Sequence, residues 1–131
     1  MGSKTHVIAK YGKSDGRLIT DTAASVALGR SSEKFSPYEL LLGALSYCLF
    51  LTYQSLAEKM QVEHTSVDID ITGVKRDAKV STLEHVDLLV VAKGVNDEKK
   101  FDKAFEIATR YCSVFNTISQ VAKIDWKIRY E

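Results

Sequence analysis

Proline occurs once in these 131 residues and cysteine twice, and 18 basic against 17 acidic side chains leave a formal net charge of +1. Each scarcity excludes something. Two cysteines are too few for a disulfide-rich secreted scaffold or a four-thiolate zinc site. A balanced charge supplies no basic face for gripping nucleic-acid phosphates. No Gly-rich phosphate loop follows a strand, and there is no Gly-x-Ser-x-Gly elbow. His6, His64 and His85 stand far apart without metal-ligand spacing, so each reads as a surface or sheet-face histidine, and no metal or other cofactor is expected. Met1 to His6 contains no apolar stretch, so no secretory leader is expected and the cytoplasm is the expected compartment. With no internal repeat or Gly/Ser-rich linker, residues 1–131 read as a single domain.

What is present is the composition of a folded protein, 45% hydrophobic and 27% charged, rather than that of a disordered tail. One run stands out: every residue between Glu39 and Glu58 is uncharged. It reaches the lower edge of a membrane-spanning length, but Gly43, Ser46, Tyr47, Thr52, Tyr53, Gln54 and Ser55 make it too polar for a lone span. The expectation is a central helix buried on most sides. Such a helix is more apolar surface than a chain of this size can cover alone, and it makes sense shared across a dimer.

Strand-like residues from Thr5 to Tyr11 lead into Gly12-Lys13-Ser14-Asp15-Gly16, where Asp-Gly predicts a positive-φ hairpin turn and a returning strand from Arg17 to about Asp21. A third strand fits Ser25 to Leu28. Ser36-Pro37-Tyr38-Glu39 is the clearest local signal: Ser at the N-cap, Pro at N1 and Glu at N3 open a helix from Pro37 to about Met60. Val67, Ile69 and Ile71 alternate with Asp68, Asp70 and Thr72 as a half-buried strand, and Leu83 to Val91 form another. Asn96-Asp97-Glu98 opens a helix whose apolar stripe is Phe101, Ala104, Phe105, Ala108, Tyr111 and Cys112. Ser113 is expected to cap a short helix from Val114 to Val121, which puts Cys112 at a break. Ile124, Trp126, Ile128 and Tyr130 then alternate with charged residues as a final strand. The order βββ–α–ββ–α–β predicts an α+β fold with a largely antiparallel sheet.

Two readings stand for each thiol. Cys48, between Tyr47 and Leu49 deep in the first helix, fits a small packed hydrophobe, and a mid-helix thiol in apolar surroundings needs a nearby cation to ionise. Cys112, just before a new helix, would see amide donors that favour its thiolate, and packing and chemistry remain equally open for it.

The stretch Pro37-x-Glu39-Leu40-Leu41-Leu42-Gly43-Ala44-Leu45-x-x-Cys48 resembles the signature helix of the OsmC/Ohr family of osmotically induced and organic-hydroperoxide-resistance proteins. Tyr111-Cys112-Ser113-Val114-x-Asn116-Thr117 resembles the family's second cysteine segment, where many members carry Cys-Pro-x-x-Asn. The element order agrees, so the resemblance covers most of the chain. It implies an intertwined homodimer that reduces organic hydroperoxides. Cys48 would be the peroxidatic thiol and Cys112 the resolving one, reset by a lipoyl-type or thioredoxin-type dithiol reductant. It further implies an arginine, held by a glutamate, beside the thiolate. Arg30 is the first candidate and Arg17 the second, although both also read as solvated charges. Glu39, nine residues before Cys48, matches a family position that the capping box already explains. Tyr38 stands where the hydroperoxide-reductase branch has its glutamate, and Ser113 replaces the usual proline. The alternative is a non-catalytic dimer that binds a small ligand or senses redox state.

Overall fold

Alternating and capped segments settle into nine elements in the computed structural model, which describes residues 2–131. Met1, the first residue of the stretch read as lacking a leader, lies outside the described residues. The elements are β1 (Val7–Tyr11), β2 (Gly16–Thr20), β3 (Ser25–Leu28), α1 (Pro37–Met60), β4 (Ser66–Lys75), β5 (Leu83–Lys93), α2 (Glu98–Tyr111), α3 (Ser113–Ser119) and β6 (Lys123–Tyr130). Residues 2–41 and 42–131 group into two compact units.

The first unit is an antiparallel sheet in the order β1-β2-β3. Its first hairpin differs from the positive-φ turn expected at Asp15-Gly16. Tyr11 pairs with Gly16, and the loop spans Gly12 to Asp15, closed by the Gly12 N–H donating to the Asp15 carbonyl at 2.9 Å. Among the described residues, positive φ occurs only at Ala23, Glu33, Gln61 and Gly94. Gly16 serves close approach instead, because a Cβ there would lie 2.5 Å from the Lys10 carbonyl oxygen. The expected capping box closes α1 in altered form: the Ser36 N–H donates to Glu39 Oε1 at 2.8 Å, and the Ser36 hydroxyl also donates to that carboxylate.

The second unit carries a sheet in the order β4-β5-β6. β4 and β5 pair antiparallel, but β5 and β6 pair parallel, from His85↔Lys123 to Ala92↔Tyr130. The strand pairing is thus largely antiparallel as expected, and this one pairing is parallel because α2 and α3 intervene and return the chain in the same direction. The register aligns Ile71, Leu88 and Trp126 in one row and Ile69, Val90 and Ile128 in another. Behind them, Tyr53 and Phe101 meet at 4.8 Å between ring centroids, with Phe105 stacked on Phe101 at 6.3 Å. All three rings are buried. The Tyr53 hydroxyl shares a 3.0 Å hydrogen bond with His64 Nδ1.

By length and composition alone α1 could cross a membrane. Its burial is narrower than the sequence predicts. Leu45, Leu49, Tyr53 and Ala57, at spacings of four, form the buried stripe, while Tyr47 stays 66% and Leu51 45% exposed. One stripe is what a helix buries when other elements pack against a single side of it.

Candidate functional site

α1 presents Cys48 one residue before the buried Leu49, so its thiol is half-buried rather than sealed in the core. Cys112 arrives from the far end of the chain. It is the C-cap of α2, its N–H donating to the Ala108 carbonyl at 2.8 Å, and also the N-cap of α3. An extended backbone (φ −69°, ψ 115°) separates the two helices at this residue. Asn116 locks the break, its Nδ2 donating to the carbonyls of Arg110 and Cys112, each at 2.9 Å.

The cap differs from the sequence reading. Cys112 takes the role assigned to Ser113, with its Sγ accepting from the Phe115 N–H at 3.4 Å. α3 accordingly begins one residue earlier than expected. Relieved of capping, Ser113 places its Oγ 3.8 Å from Cys48 Sγ, within hydrogen-bonding reach of sulfur. The two thiols lie near enough for each to bear on the other's ionisation.

These contacts reverse the expected electrostatics. Burial pushes the Cys48 thiol up, but the Val114 N–H, the Cys112 thiol and the Ser113 hydroxyl and N–H all favour its thiolate, and together they hold it below the ordinary thiol value. None of these groups carries a positive charge. Cys112, expected to profit from the helix start, is instead pushed up to about 11, chiefly by burial and further by the neighbouring Cys48, against the Phe115 N–H. The arrangement sets a readily ionised sulfur beside a protonated one, as attack by one thiol and condensation with a second require.

The remaining candidates lie in the first unit. Arg30 and Glu39 line one surface recess together with Ser36. The Glu39 carboxylate is held below its usual range by the Ser36 N–H and hydroxyl, so its observed work is at the helix start. Arg30 has no ion pair among the described residues. It also edges a recess of about 320 Å³ whose apolar lining includes Tyr11, Leu28, Phe35, Pro37 and Leu40. Arg17 is engaged elsewhere, its Nε and terminal nitrogen donating to Ser25 Oγ at 3.2 and 3.1 Å.

One cluster escaped the sequence reading. His85 Nε2 lies 3.1 Å from Asp87 Oδ1 and 3.3 Å from Asp125 Oδ2, with Lys123 Nζ 3.9 Å from the same Asp125 oxygen. The His-x-Asp spacing places two of these residues on one strand face, but only the β5–β6 register adds Asp125 beside Asp87. Two carboxylates and a lysine around one imidazole make an ion-pair network on an open sheet face.

The sequence pattern described as "OsmC-like protein" matches residues 29–127. No curated protein sequence matches the chain. Among solved structures, the fold is similar to an OsmC-like protein from Mycoplasma pneumoniae, with a TM-score of 0.89, 20% identity and 99% of each chain covered. It is also similar to a hypothetical protein from Aquifex aeolicus VF5, with a TM-score of 0.82, 22% identity and 99% of each chain covered. An organic hydroperoxide resistance protein from Elizabethkingia anophelis superposes with a TM-score of 0.76 at 15% identity, over 100% of each chain.

Proposed function

The chain belongs to the OsmC-like family, and on that premise we propose that it is a two-thiol reductase of organic hydroperoxides. The observation that carries this reading is the nearness of Cys48 to Cys112, two thiols with opposite ionisation tendencies. The Cys48 thiolate attacks the distal peroxide oxygen and the O–O bond breaks. The sulfur leaves as sulfenic acid, and the alkoxide takes a proton from water to become the alcohol. Cys112 then attacks the Cys48 sulfur, forming the disulfide as water departs. Loss of the Cys48 negative charge removes one of the influences that hold the Cys112 proton, so the first step readies the second. A dithiol reductant, lipoyl-type or thioredoxin-type, returns both thiols and is itself oxidised to a disulfide.

One structural feature fits an organic rather than inorganic peroxide, the apolar recess of the first unit. In an intertwined homodimer in the cytoplasm, a second copy would bring this recess, with Arg30 and Glu39, to Cys48, and the exposed Tyr47 and Leu51 of α1 would be covered. The test adds cumene hydroperoxide to reduced protein. The expected result is loss of two hydrogens by intact mass, a Cys48–Cys112 peptide under non-reducing conditions, and no consumption of peroxide by Cys48→Ser. Absence of oxidation at stoichiometric peroxide would overturn the reading.

The same recess supports a second reading, a dimer that binds a small apolar ligand or senses oxidation without turnover. Rapid disulfide formation that no dithiol recycles would favour the sensor. Ligand-dependent stabilisation of the Cys48→Ser protein would favour the binder.

A further inference from the structure

Ser113 stands where the resembling sequences usually have proline, and the two residues differ in what they can donate. Proline at the first position of a helix has neither an N–H nor a hydroxyl. Serine has both, and here the hydroxyl lies 3.8 Å from Cys48 Sγ. Local structure leaves that hydroxyl free for this contact. Cys112 Sγ accepts the Phe115 N–H and so performs the capping that a serine at a helix start would ordinarily do. The Ser113 carbonyl is occupied by the Thr117 hydroxyl at 2.9 Å. The Ser113 Oγ therefore has Cys48 Sγ as its partner, across 65 residues of sequence.

We propose that Ser113 is a positioning residue for the Cys48 thiolate, donating its hydroxyl to that sulfur across 3.8 Å, so that part of the thiol's activation is built into the chain without a cation.

Beside a thiolate the hydroxyl has only one useful orientation, since the sulfur then accepts and cannot donate. Ser113 is solvent-exposed, so its proton stays in exchange with water while its oxygen is held by the helix. A charge-assisted hydrogen bond of this kind favours the ionised partner selectively, which separates positioning from mere packing. The inference rests on Cys48 being the nucleophile, yet it concerns the ionisation of that thiol and needs no peroxide to be observed.

The experiment is a series in the full chain: Ser113→Thr keeps the hydroxyl, whereas Ser113→Ala and Ser113→Pro each remove it. The readout is the pH midpoint for iodoacetamide alkylation of Cys48, followed by peptide mass spectrometry so that Cys112 is scored separately. Ser113→Thr should match the parent. Ser113→Ala and Ser113→Pro should each raise the midpoint by roughly half a pH unit, which is about a threefold loss of thiolate below both midpoints. Circular dichroism confirms that each variant is folded, and proline at N1 is compatible with the helix. An unchanged midpoint in Ser113→Pro would overturn the proposal, as would equal shifts in Ser113→Thr and Ser113→Ala. Peroxide consumption measured on the parent alone reports separately on the hydroperoxide reading: a raised midpoint in the variants without turnover in the parent leaves Ser113 in its role and removes the enzyme.

Discussion

Alkylation of the two thiols at pH 8 separates them by an amount that follows from their surroundings. An ordinary thiol is already roughly a tenth to a quarter ionised at that pH, and Cys48 lies on the ionised side of it. Cys112, pushed up to about 11, is ionised to only about one part in a thousand at pH 8. The thiolate populations therefore differ by at least about a hundredfold. A thiolate of lower pKa is also a weaker nucleophile, and for a separation of two or more pH units that returns about a factor of ten. The electronic preference for Cys48 is then about tenfold or more, and burial adds to it, because Cys112 is 0% exposed and Cys48 is half-buried. Pulsed iodoacetamide on the reduced protein, acid-quenched and mapped by peptide mass spectrometry, measures the two rates together. Raising the pH from 8 toward 10 should speed Cys112 nearly tenfold per unit while Cys48 levels off. Equal rates at pH 8 in protein that is folded by circular dichroism would refute the assigned ionisation order.

Asn116→Ala removes both hydrogen bonds that hold the break between α2 and α3, at a cost of about 1–3 kcal/mol. Urea denaturation should show that loss, and peroxide-driven disulfide formation should slow while Cys48 alkylation does not; unchanged stability would count against the lock. Phe101→Ala empties the centre of the Tyr53–Phe105 ring cluster and should cost about 3–5 kcal/mol by the same denaturation measurement. A cost below about 1 kcal/mol would mean that the cluster does not organise the core.

Features written locally were legible from sequence. Ser36-Pro37-x-Glu39 marked the start of α1 because all its partners lie within one turn. The alternation of Ile124, Trp126, Ile128 and Tyr130 marked β6 in the same way. Cys112 was recognisable as a break because the apolar stripe of α2 ends there. What depended on distant register was not legible. No local pattern says that β6 returns parallel to β5, so the juxtaposition of Asp125 with His85 and Asp87 stayed hidden. Nor does sequence say that the packing of α1 brings Cys48 to the Ser113 hydroxyl at the start of α3. Ser113 was read as a cap because serine at a helix start usually is one, and the thiol that displaces it is an uncommon substitute.

The double cap at Cys112 lies within the connection that carries the chain from β5 to its parallel partner β6. The β1–β3 meander and the β4–β5 hairpin join neighbours in sequence, so they can close early in folding. The Cys48–Ser113 contact spans 65 residues and must wait for that long connection to dock. Partly folded chains with every hairpin in place still have two unrelated thiols. The meeting of Cys48 with the break at Cys112 and Ser113 therefore forms only once that long connection has docked.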